Sequence, residues 1–94
     1  MKILITYDVE TSSEKGQKRL RQVAKVCKDY GQRVQNSVFE CEVTESQFCL
    51  LKNALSSIIN QSSDSIRFYY LNKTRSAITI GKETSYDVND SLII

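Results

Sequence analysis

The chain has 94 residues, 40% of them hydrophobic, with a formal net charge of +2 and no histidine. This length predicts one compact domain with a small core. The lack of histidine excludes Ser-His-Asp and Cys-His catalysis and histidine-ligated metals. With 3 glycines and no proline, neither a glycine-rich phosphate loop nor a low-complexity linker is expected. Catalysis would therefore have to use carboxylates, hydroxyls or thiols.

The cysteines and the apolar runs indicate a cytoplasmic protein. Cys27, Cys41 and Cys49 are odd in number and lack a CxxC spacing, which favours free thiols in a reducing compartment. No apolar run approaches the roughly 20 residues needed to span a bilayer. The N-terminus leads directly into a strand-like segment instead of a signal peptide. We therefore predict no membrane partner.

The first strand and the first helix are predicted near the N-terminus. Residues 2–9 alternate between two mostly apolar sets, as in a central strand covered on both faces, and Asp8 marks the polar end. The segment Thr11-Ser12-Ser13-Glu14 has the spacing of a capping box. Apolar residues then recur at helical intervals, which predicts a helix over about residues 13–29 that is stopped by Tyr30-Gly31.

The remaining chain predicts a second helix between strands. The segment RVQNSVFECEV suits two short strands that turn near Asn36-Ser37, which we favour, or one bent strand, because no clear hairpin signal separates them. A second capping box, Thr44 to Gln47, precedes an apolar stripe that runs from Phe48 to Ile59. The polar break NQSSDS is followed by two strand-like runs, SIRFYYL and SAITIG, and finally by SLII.

This order of elements predicts an α+β, ferredoxin-like βαββαβ fold. Its antiparallel sheet would carry both helices on one face, with an additional strand. We expect residues 1–80 to form the ferredoxin-like domain and residues 81–94 to form a C-terminal segment. The fold names no function. The segment RVQNSVFEC does not match the RNA-recognition aromatic motif, and a soft-metal carrier would need a CxxC loop.

Helix one carries a basic face that is suited to bind a phosphate backbone. Lys18, Arg21, Lys25 and Lys28 fall within about 80° of one another on a helical wheel. No acidic residue lies between positions 15 and 28. Exposed lysines on a helix are equally often only solvated, so both readings stay open. The cations of this helix and of later strands and turns are Lys15, Lys18, Arg19, Arg21, Lys25, Lys28, Arg33, Arg67, Lys73 and Arg75.

Asp8 is the candidate catalytic and metal-binding residue. An aspartate after a strand is more often a turn or cap residue. Magnesium, however, commonly takes only one or two protein carboxylates and keeps its waters. A two-fold dimer that brings both Asp8 side chains together would therefore assemble a site from one residue per chain. Glu10 is the second candidate, although its place in the polar turn suits a loop or cap role at least as well.

Three segments carry a resemblance to a known family. They are YDV, KRLRQVAKVCKDYGQRVQNSVFEC and the ending YDVNDSLII. Together they closely resemble the small CRISPR-associated (Cas) family two proteins over nearly the whole chain. The specific parts are Tyr7-Asp8, Tyr30-Gly31 and VQNSVFEC, residues 34–41. The resemblance implies a homodimer whose sheets pack face to face, with the Asp8 pair near the two-fold axis and residues 81–94 pairing with the partner's sheet.

The resemblance also implies two activities. One is a Mg²⁺-dependent endonuclease that acts on RNA or DNA through Asp8, with duplex DNA or single-stranded RNA as the bound nucleic acid. The other is a scaffold that joins two dimers of the larger CRISPR-associated integrase during the capture of new spacers. A non-catalytic ferredoxin-like module, which binds nucleic acid or only oligomerises through an edge strand and SLII, is the alternative.

The predicted contact residues form two groups. Those predicted to bind nucleic acid are Lys15, Lys18, Arg19, Arg33 and Arg75. Those predicted to lie at the dimer interface near the site are Tyr7, Ser37 and Phe39.

Overall fold

The computed structural model describes residues 1–71 and 77–82, which form a five-stranded antiparallel sheet and two helices. In chain order the elements are β1 (Lys2–Asp8), α1 (Glu14–Tyr30), β2 (Gly31–Gln35), β3 (Val38–Glu42), α2 (Glu45–Ile58), β4 (Ser65–Tyr70) and β5 (Ala77–Gly81). The strands lie in the order β2-β3-β1-β4-β5, and every neighbouring pair is antiparallel. This confirms the ferredoxin-like α+β fold and its additional strand.

β1 is the central strand, and its two faces have different environments. Ile3, Ile5 and Tyr7 are buried, whereas the alternate residues are half-buried or exposed. In register, Ile5 lies between Phe39 of β3 and Phe68 of β4. Because successive side chains of a strand point to opposite faces, Asp8 lies on the face away from this core.

Both helices pack on the buried face of the sheet. Val23 and Cys27 of α1 and Leu51 of α2 belong to a single core together with the buried residues of β1. The Phe48 ring of α2 meets the Phe68 ring of β4 edge to face at a centroid distance of 5.3 Å. The helix-covered core therefore fixes β1 from one side and leaves its other side for the site.

One of the two capping boxes predicted from the sequence is present at the start of its helix, and the other is not. α2 begins after Thr44, whose side chain accepts from the Gln47 N–H while the Gln47 side chain accepts from the Thr44 N–H, which confirms the second capping box. The N-cap of α1 is Ser13, so a box starting at Thr11 was wrong. The physical reason is that the Glu10 carboxylate binds the Ser12 N–H outside the helix, and the first turn begins later.

The segment after α1 forms two strands, as favoured from the sequence, with the turn at Asn36 and Ser37. A register shift between Arg33 and Gln35 marks a bulge in β2. Gly31 permits the close approach of β2 to β3, because a Cβ there would lie 2.3 Å from the Glu40 carbonyl oxygen. Two short strands therefore present the turn beside the end of β1.

Some predictions fall outside this description. Lys73, Arg75 and residues 83–94 lie outside the described residues, so the domain boundary at residue 81 and the pairing of residues 81–94 with a partner stay predictions. In the part of the chain that the structure describes, neither helix has the length and apolar character needed to cross a membrane.

Candidate active site at the end of β1

Asp8 is the last residue of β1, where the sheet pairing becomes one-sided. It lies opposite Ser65 of β4, whereas the pairing of β1 with β3 ends at Thr6 and Val38. The Asp8 side chain is exposed, and its carboxylate makes no hydrogen bond or ion pair with any residue in 1–71 or 77–82. The carboxylate is therefore available to a cation from solvent.

Glu10, the second candidate, is engaged in the loop between β1 and α1. Its carboxylate accepts hydrogen bonds from the N–H and the hydroxyl of Ser12, and from the Ser13 hydroxyl at 3.2 Å. It also lies 3.8 Å from an Nη atom of Arg19. These contacts favour the loop role that the sequence allowed for Glu10.

Asp64 is a buried carboxylate beside this loop, and sequence reasoning did not single it out. Its side chain is 0% exposed. The carboxylate accepts from the backbone N–H groups of Glu10 at 3.0 Å and Asn60 at 2.9 Å, and from the Ser63 hydroxyl at 3.2 Å. Arg19 donates to it through Nε at 2.8 Å and through Nη2 at 3.4 Å. Asp64 therefore ties the β1–α1 loop, α1 and the end of α2 together.

The contacts of Asp64 keep it ionised despite its burial. Burial raises the pKa of the Asp64 carboxyl, but the hydrogen bonds from Arg19 and from the backbone of Asn60 and Glu10 lower it further, so its pKa lies below the ordinary value. The hydrogen bond to Asp64 raises the pKa of Arg19 in return. The two groups thus form a charged pair at neutral pH.

The residues predicted to bind nucleic acid differ in whether their side chains already contact other residues of the chain. Lys15 and Lys18 are exposed and form no ion pair within the described ranges. Arg33 is exposed, with its guanidinium 5.2 Å from the centre of the Phe39 ring. Arg19 is half-buried and held by Asp64, so a phosphate would have to compete for its guanidinium. These roles stay predictions, and Arg19 has a structural contact that the sequence did not indicate.

The predicted interface residues are placed mainly inside the protomer. The Tyr7 and Phe39 rings stack at a centroid distance of 6.2 Å, and their side chains are 6% and 0% exposed. The Tyr7 hydroxyl donates to the Asn36 carbonyl oxygen at 3.3 Å, and burial raises its pKa. The two rings are therefore buried within the protomer, and their place at a dimer interface stays a prediction. Ser37, the third predicted interface residue, is half-buried in the turn, and its role stays a prediction as well.

The carboxylates near the end of β1 decide which metal the site suits. Within the described residues, no three His, Cys, Asp or Glu side chains are grouped to hold a metal ion. A closed site of the kind that holds structural zinc is therefore not formed there by one chain. One exposed carboxylate per chain does fit Mg²⁺, which binds few protein oxygens and keeps its waters. Asp8 of two copies is thus a chemically suitable donor set for magnesium.

The thiols do not suit nucleophilic catalysis at this site. Cys27, Cys41 and Cys49 are free, as the sequence predicted. Burial raises the pKa of Cys27 to about 12 and that of Cys41 to about 11, so both stay protonated at neutral pH. Exposed Cys49 lies on α2, and the helices cover the face of the sheet opposite to Asp8. Asp8 is therefore the better candidate.

Comparison with known proteins identifies the family. A family profile described as CRISPR associated protein Cas2 matches residues 1–77. The chain belongs to the Cas2 family. Among its Cas2 relatives, the CRISPR-associated endonuclease Cas2 of Halalkalibacterium halodurans is 54% identical over 99% of both chains. The CRISPR-associated endoribonuclease Cas2 1 of Moorella thermoacetica is 63% identical over 76% of this chain and 74% of the relative.

A solved Cas2 structure has the same fold. The crystal structure of Streptococcus pyogenes Cas2 at pH 6.5 superposes with a TM-score of 0.73 and 60% identity, covering 77% of this chain and 87% of that one. The resemblance found in the sequence is therefore confirmed at the level of the Cas2 family. The names of the Cas2 relatives include both endonuclease and endoribonuclease.

Proposed function

We propose that this Cas2 family chain is a cytoplasmic, homodimeric, Mg²⁺-dependent endonuclease that hydrolyses phosphodiester bonds of RNA or DNA. The observation that carries the proposal is the exposed Asp8 carboxylate, which ends the central strand without a partner in residues 1–71 or 77–82. The nuclease names of the relatives support the reaction class. A two-fold dimer supplies the second carboxylate that one chain lacks.

In this proposal Asp8 binds the cation, and the core of the protomer fixes the position of Asp8. Asp8 from each copy supplies a negatively charged oxygen ligand, and the rigid core behind β1 fixes the backbone that carries it. Bound Mg²⁺ supplies positive charge at the scissile phosphate and activation of the attacking water. With one carboxylate from each chain and no thiol or histidine base, we expect a slow enzyme.

The basic face of α1 is the proposed nucleic-acid surface. Its exposed cations carry no ion pair within the described residues, so their charge is not neutralised by neighbouring acids there. They are Lys18, Arg21, Lys25 and Lys28, and exposed Lys15 flanks them. Such a row suits the backbone of duplex DNA or of single-stranded RNA, which has phosphates at regular intervals. Arg33 adds a guanidinium from the neighbouring strand β2.

A second role as a scaffold is favoured by the same basic face. Binding of duplex DNA by a symmetric dimer requires the cations of α1 but does not require Asp8. We therefore propose that the dimer also joins the larger CRISPR-associated integrase in spacer acquisition, with residues 81–94 as a segment for protein contacts. Cleavage and scaffolding would then depend on different residues.

The test of the nuclease proposal compares wild-type protein with Asp8→Asn, which removes the charge and nearly keeps the shape. Glu40→Gln is the matched control, because Glu40 is exposed on the same face of the sheet and lies opposite Leu4. Purified proteins are incubated with single-stranded RNA and with duplex DNA, each with and without Mg²⁺. Light scattering on every sample measures whether the dimer persists.

We expect Mg²⁺-dependent cleavage by wild type and by Glu40→Gln, and a loss of about 100-fold or more in dimeric Asp8→Asn, in line with the removal of a metal ligand. Equal cleavage by wild type and Asp8→Asn would show that Asp8 only ends a strand. No cleavage of either substrate by any of the proteins would leave the scaffold role as the function.

A further inference from the structure

The segment that carries Asp8 is anchored on both sides. Before Asp8, the Tyr7 N–H donates to the Ser37 carbonyl oxygen at 3.1 Å, and the Tyr7 side chain is buried. After Asp8, Val9 is 7% exposed, and the Glu10 N–H donates to the Asp64 carboxylate at 3.0 Å. Because the Asp8 carboxylate itself has no partner among the described residues, its position depends on these anchors.

The anchor after Asp8 is supported from several elements. Asp64 immediately precedes Ser65, the residue opposite Asp8 in the sheet, so the two segments run side by side. Arg19 of α1 donates to the same carboxylate that binds the Glu10 N–H. Gly16 of α1 packs so closely that a Cβ there would lie 1.9 Å from the Glu10 carbonyl oxygen. The Glu10 peptide is thus held through its N–H by Asp64 and confined at its carbonyl by α1.

We infer that Asp64 is a positioning residue, which acts through the Glu10 N–H and holds the segment carrying Asp8 in the conformation that a divalent cation requires. This inference rests on the proposed function of Asp8 as a metal ligand. Residues that orient a metal ligand from behind commonly change metal affinity about 10–100-fold when they are replaced. Asp64 does not touch substrate or metal in this account.

The main variant is Asp64→Asn, which keeps the size of the side chain but loses its charge and one acceptor. An amide cannot accept from Arg19 and from both backbone N–H groups as a carboxylate does. Gly16→Ala reaches the same loop by a different route, because its methyl group would displace the Glu10 carbonyl without changing any charge. If one variant fails to fold, the other still tests the inference.

Two control variants separate positioning from general loss of stability. Ser63→Ala removes one hydrogen bond to the Asp64 carboxylate, yet it leaves the Glu10 and Arg19 contacts intact. Val43→Ala creates a small cavity in the core, because the Val43 side chain is buried. Val43 follows β3 and its N–H donates to the Met1 carbonyl oxygen, so it lies at the end of the sheet opposite to Asp8. Neither control should move the Glu10 peptide.

The probe is Mn²⁺ alone, titrated into ¹⁵N-labelled protein, with paramagnetic broadening of the amide signals of residues 7–10 as the readout. We expect broadening centred on Asp8 in wild type and in both controls, and an apparent Mn²⁺ dissociation constant about tenfold higher or more in Asp64→Asn and Gly16→Ala. Cleavage measured in parallel with Mg²⁺ should lose kcat with little change in KM for the nucleic acid.

The outcomes distinguish the positioning role of Asp64 from the metal site at Asp8. Broadening at Asp8 with the wild-type dissociation constant in Asp64→Asn and Gly16→Ala would overturn the positioning role and leave Asp8 as a metal ligand. A similar loss of Mn²⁺ affinity in Val43→Ala would mean that lower stability of the fold alone weakens metal binding, and it would overturn the inference as well. No broadening near Asp8 in wild type would overturn the proposed metal site, and the inference would fall with it.

Discussion

The buried Asp64 carboxylate is stable in its charged form because the partners that a charge requires surround it. It accepts from Arg19, from two backbone N–H groups and from the Ser63 hydroxyl. Removing a charge from water without such partners would cost several kcal/mol. Hydrogen bonds to charged groups contribute more to stability than hydrogen bonds between neutral groups. Removing the Asp64 charge should therefore destabilise the fold.

This arrangement predicts that the pair loses its contribution in acid. The pKa of Asp64 is lower in the folded chain than its ordinary value, which is near 4. A depressed folded pKa gives stability that is present above pH 4 and is lost as the pH falls through the folded pKa. We expect wild type to exceed Asp64→Asn by about 1.5–3 kcal/mol in free energy of unfolding at pH 7, with the difference shrinking towards pH 2.

Urea unfolding at pH 7, 5, 4, 3 and 2 measures this difference for wild type and Asp64→Asn. Glu40→Gln is the control, because Glu40 is exposed and accepts no side-chain bond from Arg19 in the described part of the chain. Parallel stability curves for wild type and Asp64→Asn across this range would mean that the ionised pair does not stabilise the fold.

At the scale of elements, α2 depends on a capping box that can be tested directly. The Thr44 hydroxyl accepts from the Gln47 N–H at 3.1 Å, and the Gln47 side chain accepts from the Thr44 N–H at 2.9 Å. Thr44→Ala removes the first of these bonds, and we expect it to cost about 1 kcal/mol in free energy of unfolding. Thr44→Ser keeps the hydroxyl and should retain most of the stability in the same urea experiment.

A result in which Thr44→Ala matches wild type would contradict this role of the cap. In that case the buried side chains of α2, Phe48, Leu51 and Leu55, would hold the start of the helix without its help. Equal losses in Thr44→Ala and Thr44→Ser would instead point to the threonine methyl group as the stabilising part.

The elements that could be predicted from the sequence are those fixed by local chemistry. The capping box at Thr44 and the apolar stripe from Phe48 fixed α2, because both act within a few residues. The turn at Asn36 and Ser37 was favoured over one bent strand, although no clear local hairpin signal separated the two. The start of α1 was predicted to within one residue, but the capping box was wrongly placed at Thr11, because the Glu10 carboxylate takes the Ser12 N–H and Ser13 is the N-cap.

The parts of the site that could not be predicted depend on contacts between distant residues. Asp64 looked like a residue of a polar break, yet it pairs with Arg19, 45 residues earlier in the chain. The register of β3 on β1 places Phe39 opposite Ile5 in the core of the protomer, a contact that the sequence alone did not indicate. Asp8 could be found because a polar residue that ends an apolar strand is visible in the sequence itself.

At the scale of the whole molecule, charge is distributed asymmetrically around the site. α1 carries exposed cations along its length, whereas the open sheet face carries charges of both signs. Asp8 and Glu40 are exposed there, and exposed Lys2 lies opposite Glu42, whose carboxylate is 3.1 Å from the Met1 amino group. A polyanion would therefore be attracted to the α1 side more strongly than to the open sheet face, where the charges partly cancel. Metal binding at Asp8 would reduce the negative charge at the end of β1.

This asymmetry predicts a specific salt dependence for nucleic-acid binding. Each phosphate neutralised by a cation contributes a slope of roughly −0.9 to the dependence of log K on log salt for duplex DNA. Replacing both Lys18 and Lys25 by glutamate should weaken binding of duplex DNA and reduce the magnitude of the slope by about 2. Both side chains are exposed on α1, so the core should be unaffected.

The measurement is fluorescence anisotropy of labelled duplex DNA at four salt concentrations, with circular dichroism to confirm that the variants fold. Lys52→Glu combined with Lys82→Glu is the matched control, because it makes the same change of charge as the double replacement on α1. Lys52 lies on the other helix, over the Phe48 ring, and exposed Lys82 follows β5. If the double variant and the control shift affinity and slope equally, the effect reflects net charge alone and α1 is not the binding face. A reduced slope only in the double variant places the phosphates along α1, whether or not the same protein cleaves them.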